Sequence, residues 1–359
     1  MPARDNLRVF AGPSAYRQIR ENGLSPEDVS AVFGASGAAK WLTIHGLDRA
    51  VFCEWLSDST HEIDLFGTSV GAFKLAAAAQ VNASGALLAL SNAYINQNYQ
   101  DKEPSRQVVV ETNKILRAFL DERSIAEILA SPRFNYHCGS VLCSGWLASD
   151  NLRTQKFAMV KAFLLSLAGR RFHKGIFERC IFYTGAAVND FSGADEFVTR
   201  KVQLSADNFL PAMLSSGSIP VVMPGVVDIP GAPPGMYRDG GLLDYHALPS
   251  NIGNFREGLV LYPHFYRHLK EGWFDKFWAW RQAGAQQLDK TILIGPSEAY
   301  VASLPGQRIP DRNDFYRFKN NDEERIRRWT QVRDRGAELG EEFMHLVKSG
   351  EIAARVTRL

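Results

Sequence analysis

The N-terminal part of the chain contains two short apolar runs, each followed by small residues and then by a helical pattern. Residues 29–33 lead into Gly34-Ala-Ser-Gly-Ala-Ala-Lys40, and residues 63–66 lead into Gly67-Thr-Ser-Val-Gly71 and an alanine-rich stretch. Two successive strand–loop–helix units predict parallel strands joined by a right-handed crossover, and therefore a three-layer α/β/α architecture. In such a sheet ligands bind at the carboxyl ends of the strands, where both loops lie.

The rest of the chain extends this pattern into a mainly parallel central sheet with helical additions. Further apolar runs predict strands at residues 180–185, 198–204, 258–262 and 291–295. We expect four parts along the chain: a polar lead-in over 1–27 with a helix near 13–22, a catalytic domain over 28–300, a helical insertion or lid over 85–180 in which 136–147 can form a strand, and a charged, solvated helical extension over 305–359.

The second loop has the Gly-x-Ser-x-Gly pattern of a nucleophile elbow. The pattern places Ser69 on a sharp turn between a strand and a helix, where its hydroxyl stands clear of the sheet. Gly67 and Gly71 leave room for the neighbouring chain, and the N–H groups at the start of the helix favour negative charge. An ordinary turn between strand and helix is the alternative interpretation of the same residues.

The first loop, residues 34–40, also opens a helix and exposes several backbone N–H groups. Such a loop can hold an oxyanion or a phosphate. It has neither the Gly-x-x-x-x-Gly-Lys-Ser/Thr nor the Gly-x-Gly-x-x-Gly spacing of nucleotide-binding loops. A tight structural turn remains an alternative.

A serine nucleophile needs a base, and two kinds are available in the sequence. Asp239 follows a short predicted strand and precedes two glycines, so its carboxylate stands at a strand end and could accept the Ser69 proton directly. A turn chosen for its backbone alone would also explain this Asp-Gly-Gly segment. A Ser–His–Asp arrangement would instead require a downstream histidine. Its candidates are His246, His264, His268 and His345.

Taken together, the two loops, the segment Leu214-Ser-Ser-Gly-Ser-Ile-Pro220 and the block that begins Asp239-Gly-Gly241 resemble the patatin-like phospholipases over roughly residues 28–250. The resemblance implies a patatin-like fold and a lipid acyl hydrolase with a Ser–Asp dyad, without metal or organic cofactor. It assigns Ser69 as the nucleophile and Asp239 as the base. It also assigns an oxyanion hole to the backbone of Ser36, Gly37 and Ala38, and supporting roles to Gly34, Lys40, Gly67, Gly71, Gly240 and Gly241.

One departure from the family pattern keeps a second function open. The family loop reads Gly-Gly-Gly-x-Arg/Lys-Gly, whereas this chain has Ala35-Ser-Gly-Ala-Ala-Lys40. Lys40 matches the basic position, but several glycines are replaced. A catalytically weak or inactive lipid-binding protein on the same fold is therefore the alternative to a lipid ester hydrolase.

The stretch 153–174 is a strongly apolar helical pattern bracketed by basic residues. It could contact an anionic membrane surface or cover an apolar substrate, and the pattern favours a core helix with solvated ends. The aromatic residues of 273–280 predict a further helix that packs in the core or contacts lipid.

Composition and charge narrow the remaining choices. The 359 residues carry a formal net charge of +2, which gives no overall field to recruit nucleic acid. The four cysteines lack metal-binding spacing and are expected to be free thiols in a reducing compartment. The sequence has no signal-like N-terminal run and no apolar stretch of roughly 18 residues that would span a membrane. We expect a cytoplasmic protein whose partner is a lipid substrate, with peripheral contact at a membrane as an option.

Overall fold

The computed structural model describes residues 5–99, 104–185, 195–253 and 257–359. A mixed, mostly parallel sheet lies between layers of helices, which confirms the predicted three-layer α/β/α class. None of the helices within these ranges is long and apolar enough to cross a lipid bilayer.

The strands form one sheet in the order β11-β1-β10-β9-β2-β3-β4-β5-β6, and β8 pairs with β4 and with the short β7. The bounds are β1 Leu7–Ala11, β2 Val29–Gly34, β3 Ile63–Thr68, β4 Phe134–Cys143, β5 Phe177–Tyr183, β6 Thr199–Gln203, β7 Val226–Val227, β8 Met236–Asp239, β9 Leu259–Pro263, β10 Thr291–Pro296 and β11 Thr357–Arg358.

The α-helices cover both faces of this sheet. Their bounds are α1 Pro13–Asn22, α2 His45–Arg49, α3 Val70–Ala78, α4 Ala83–Ile95, α5 Pro104–Phe119, α6 Glu122–Leu129, α7 Leu152–Ala168, α8 Ala206–Ser216, α9 Pro249–Ile252, α10 Glu298–Ser303, α11 Asp314–Arg317, α12 Asp322–Arg335, α13 Ala337–Ser349 and α14 Ile352–Arg355.

The two strand–loop–helix units lie at the centre of the sheet, as their apolar runs predict. Every residue of β2 and β3 is buried, because both faces of a central parallel strand are covered by helices. The alanine-rich α3 is also buried along its whole length. Small side chains let this helix approach β2 and β3 closely. The loops that follow β2 and β3 lie at the same edge of the sheet, because the two strands are parallel.

The ends of the chain differ from the sequence-based expectation. The expected lead-in over 1–27 contains β1, which pairs antiparallel with β10 and parallel with β11. The expected solvated extension over 305–359 packs on the domain instead: Trp329 and Phe343 are buried, and the Phe343 ring lies 5.1 Å from that of Trp55. Both terminal segments therefore belong to the same core as the central strands.

Two internal segments also differ from expectation. The strand expected within 136–147 is present as β4, but it pairs with β3 on one side and β5 on the other, so 85–180 is not a helical insertion outside the central sheet. The predicted aromatic helix of 273–280 is only a short 3-10 turn, Trp273–Phe277. Aromatic side chains in this turn pack on α7 rather than in the central core.

Candidate active site

Strand β4 brings the two predicted catalytic residues together. Strand β3 runs parallel to the first part of β4, and its last residue, Thr68, lies opposite Gly139. Strand β8 runs antiparallel to the second part of β4, and its last residue, Asp239, lies opposite Ser140. The carboxyl ends of β3 and β8 therefore meet on the same side of β4, one residue apart along it.

Ser69 occupies the turn directly after β3. Its hydroxyl donates a hydrogen bond to Asp239 Oδ2 at 2.9 Å. The Ser69 backbone has φ of 54° and ψ of −132°, a conformation that L-residues adopt only under strain. Its N–H donates to the hydroxyl of Ser216 at 2.9 Å, and that hydroxyl donates in turn to the Gly139 carbonyl at 2.7 Å. Ser216 thus anchors the strained turn to β4.

The Asp239 carboxylate is held on both oxygens. Oδ1 accepts the N–H of Gly241 at 2.7 Å, while Oδ2 accepts the Ser69 hydroxyl. Burial raises the pKa of Asp239 to about 6, even though these two hydrogen bonds and the charge of Arg312 act in the opposite direction. A Cβ on Gly241 would lie 2.6 Å from Ser36 Oγ, so glycine is needed beside the carboxylate. The carboxylate is ionised at neutral pH and more basic than in water.

The loop after β2 contains the three backbone N–H groups expected to form the oxyanion hole. One of them donates to a protein carbonyl and, within the described ranges, the other two do not. The Ser36 N–H donates to the Tyr245 carbonyl at 3.0 Å and is engaged. The N–H groups of Gly37 and Ala38 have no acceptor among the described residues. Ala38 has φ of 51°, so an L-residue occupies a left-handed position at the start of the following turn. A Cβ on Gly37 would lie 2.4 Å from the Phe265 ring, which explains why this glycine is retained.

The glycines of the two motifs lie where neighbouring segments of backbone are in direct contact. A Cβ on Gly71 would lie 2.1 Å from the Gly34 carbonyl oxygen, and one on Gly67 would lie 2.5 Å from the Gly71 carbonyl carbon. A Cβ on Gly240 would lie 2.2 Å from the Gly139 carbonyl oxygen. Distances below 3 Å leave no room for any side chain. These glycines set the separation of β2, β3, β4 and α3 around the dyad.

A buried polar network supports the loop after β2. Ser36 Oγ lies 2.8 Å from Thr68 Oγ1, and Thr68 Oγ1 donates to the Asp244 carbonyl at 2.8 Å. The Asp244 carboxylate pairs with Arg179, whose side chain is buried and also pairs with Asp195. Thr68 lies inside the elbow pattern and Asp244 inside the Asp-Gly-Gly block, yet neither role was expected. Their contacts arise from tertiary pairing that no local pattern encodes.

The histidine candidates form no hydrogen bond with Ser69 in the described part of the chain. The Nδ1 of His246 accepts the N–H of Lys270 at 2.9 Å, and the Nδ1 of His264 accepts the N–H of Tyr266 at 2.9 Å. Burial lowers the pKa of both rings. Within the described residues no histidine hydrogen-bonds to Ser69. This holds for the two other candidates, His268 and His345, as well.

Three basic side chains, Lys40, Lys276 and Arg312, lie close enough to influence one another, and the charge of Arg312 also acts on Asp239. The ammonium of Lys40 lies 5.9 Å from the centre of the Phe265 ring, and that of Lys276 lies 3.7 Å from the centre of the Trp273 ring. Burial, followed by repulsion from Arg312 and Lys40, lowers the pKa of Lys276 to about 7. Among the described residues, none of the three forms an ion pair with a carboxylate within 4 Å. Lys40 and Arg312 are therefore not neutralised by direct pairing, whereas Lys276 is only partly protonated at neutral pH.

Comparison with known proteins gives a likeness in fold alone. No family model matches the sequence, and no curated protein sequence matches it either. Among solved structures, the chain is similar to human GIVD cytosolic phospholipase A2, with 11% sequence identity and a TM-score of 0.39. The alignment covers 98% of this chain and 67% of that chain. A likeness at this identity concerns the path of the backbone and not the residues of the site.

Proposed function

We propose that the protein is a serine acyl hydrolase that cleaves ester bonds of lipids through Ser69 and Asp239. The observation that carries the proposal is the 2.9 Å hydrogen bond between the two side chains at a strained elbow. A structural serine has no need of this backbone conformation, since strain of this kind costs about 1–3 kcal/mol. The resemblance of both motifs to patatin-like phospholipases supports the same reaction.

Acylation begins with transfer of the Ser69 proton to Asp239 Oδ2 as the serine oxygen attacks the ester carbonyl. The carboxylate is suited to this step because burial raises its pKa to about 6. The Gly37 and Ala38 N–H groups, which lack an acceptor among the described residues, would donate to the oxyanion. Collapse of the tetrahedral intermediate expels the alcohol, which takes the proton from Asp239, and leaves an acyl-enzyme.

Deacylation repeats the sequence with water. Asp239 accepts a proton from a water molecule, the resulting hydroxide attacks the acyl-enzyme carbonyl, and the proton returns to Ser69 as the fatty acid leaves. The hydrogen bond from Gly241 keeps the carboxylate in place through both half-reactions.

The surroundings of the dyad favour a lipid with an anionic head group. Lys40, Lys276 and Arg312 form no ion pair with a carboxylate in the described part of the chain, so a phosphate would relieve their mutual repulsion. A phospholipid satisfies this charge requirement and supplies the ester bond that the dyad would cleave.

The test is active-site labelling combined with an ester hydrolysis assay. We expect a fluorophosphonate probe to modify the protein at Ser69, and Ser69→Ala and Asp239→Asn to abolish hydrolysis of phospholipid and p-nitrophenyl esters. Ser57→Ala, which removes an exposed hydroxyl that makes no contact with the dyad, is the matched control and should be labelled and active. Asp239→Asn with near-normal turnover would refute the dyad.

One observation favours a second function, a non-catalytic lipid-binding protein on the same fold. Because the Ser36 N–H is engaged by Tyr245, the oxyanion loop has fewer donors than the resemblance implies. Each lost donor lowers the rate by roughly 100- to 1000-fold. A folded protein that binds lipid but is never labelled by the probe would support this function instead.

A further inference from the structure

Helix α7 exposes several large apolar side chains to solvent. Its fully buried residues are small or polar, and two larger ones, Met159 and Phe163, are partly buried against the core. The buried residues are Gln155, Ala158, Ala162 and Ser166. The exposed ones are Leu152, Phe157, Val160, Leu164 and Leu167. Globular helices normally bury their large side chains, so an outward apolar stripe requires a partner other than the core.

The apolar stripe is part of a larger surface, which we call the α7 face. It comprises the exposed side of α7 together with Trp146, Phe277 and Trp280. Trp146 lies 5.4 Å from the ammonium of Lys161 on α7, and Phe277 is joined to α7 through the ring of Phe163 at 5.5 Å. Trp280 is 75% exposed, which is unusual for so large an aromatic side chain. Half of the large exposed hydrophobic side chains in the described ranges lie on this face.

Basic residues border the α7 face. Residues 151–177 contain no aspartate or glutamate, and their exposed cations are Arg153, Lys156, Lys161, Arg171 and Lys174. Lys174 pairs with Glu196, and the other four form no ion pair with a carboxylate among the described residues. Large apolar side chains flanked by unpaired cations and tryptophans are the composition that lies in the interface of an anionic bilayer.

The buried side of α7, opposite the α7 face, packs near the candidate active site. Gln155 accepts the N–H of Val221 at 2.6 Å, and the nearby Ser218 carbonyl accepts the N–H of Asp239 at 3.0 Å. On the other side, the ammonium of Lys276 lies 6.0 Å from the centre of the Tyr245 ring. The Tyr245 carbonyl accepts the N–H of Ser36 in the loop after β2. A surface that docks on the α7 face would therefore lie one helix diameter, roughly 10 Å, from these contacts.

We propose that the α7 face docks on a bilayer surface that carries anionic lipids. Its large apolar side chains enter the interface, and its cations bind the head groups. A second copy of the chain is a poorer occupant, because the four cations would then face four others with no carboxylate on α7 to pair with them. Docking goes beyond the chemistry of Ser69 and does not depend on it.

The test uses the full chain with Ser69→Ala, so that vesicles stay intact and the outcome is independent of catalysis. Co-sedimentation is measured with phosphatidylcholine vesicles and with vesicles that also contain phosphatidylserine. We expect binding to the mixed vesicles that weakens as salt rises. Adding Phe157→Ser and Leu164→Ser should weaken it at least tenfold, because each substitution removes a large side chain from the interface. Adding Lys156→Glu and Lys161→Glu should weaken it by a similar factor and remove the preference for phosphatidylserine.

Val81→Ser with Tyr316→Ser is the matched control, since both side chains are highly exposed but lie outside the α7 face. This control should bind as the parent does, and thermal unfolding should be alike for all variants. Equal binding by the Phe157→Ser, Leu164→Ser protein, or no binding by the parent, would overturn the proposal. So would a parent that dimerises through this face, seen as a dimer by sedimentation that the same two substitutions dissociate, without binding vesicles.

Discussion

The substitution Asp239→Asn should abolish ester hydrolysis and at the same time make the protein more stable. The Asp239 side chain is only 6% exposed, and burial raises its pKa from the ordinary value of 3.8 to about 6. A carboxylate that must ionise inside the protein therefore destabilises the fold at neutral pH. Asparagine keeps an acceptor for the Gly241 N–H and carries no charge, so the cost disappears together with the base.

The size of the effect follows from the two pKa values. The difference between 3.8 and about 6 corresponds to about 3 kcal/mol once the group is ionised, since each pKa unit is worth about 1.4 kcal/mol. The folded state binds the proton more tightly than the unfolded chain, so the cost is absent below pH 3.8, grows as the pH rises, and is complete above about 6. With an unfolding entropy of roughly 2 cal/mol/K per residue, Tm should rise by about 4 °C.

Thermal unfolding of both proteins across this pH range checks the prediction. The difference in Tm between Asp239→Asn and the parent should be near zero at the acid end and reach its full value at pH 7 to 8, while the other titrating groups cancel between the two proteins. Asp58→Asn, a change at an exposed carboxylate, should show no such trend. A difference that is constant with pH, or that favours the parent at pH 8, would refute the assignment of a buried, raised-pKa base.

Three further predictions concern the geometry of the site. Hydrolysis by the parent protein should fall about tenfold per pH unit below the pKa of Asp239, about 6, as seen in a kcat/KM profile. Ser216→Ala should lower kcat about five- to tenfold with little change in KM, because it removes a hydrogen bond of about 1 kcal/mol that holds the Ser69 N–H. Gly37→Ala should lower kcat by roughly 100-fold, since its Cβ meets Phe265 and displaces an oxyanion donor; adding Phe265→Ala should recover part of that loss in the same assay.

The central strands and the candidate dyad could be predicted because their signals are local. The apolar runs that form β2 and β3, and the small residues that follow them, are each contained in a few consecutive positions. The elbow pattern and the Asp-Gly-Gly block likewise mark turns whose backbone demands small residues. What joins them is β4, whose strand signal gives no indication that β3 and β8 end side by side against Gly139 and Ser140.

The parts that could not be predicted depend on partners distant in sequence. Strand β1 alternates buried and exposed residues over only five positions and is held by β10, nearly the whole chain away. The C-terminal helices α12 and α13 are rich in charge, yet they bury Trp329 and Phe343 against α2 and its neighbours. A helical pattern reports that an apolar stripe exists. It does not report whether that stripe faces the core, as in α13, or solvent, as in α7.

The geometry of the dyad depends on the strained backbone of Ser69 and on the glycines packed around it. A serine with φ of 54° and a buried carboxylate each raise the free energy of the folded state, so both must be held by contacts that cannot yield. Direct contacts between backbones fix both residues: Gly71 lies against Gly34, and Gly240 lies against Gly139, with no side chain between them. Side-chain packing tolerates shifts of several tenths of an ångström, whereas these contacts do not. The position of Ser69 relative to Asp239 is therefore set by the spacing of the strands themselves.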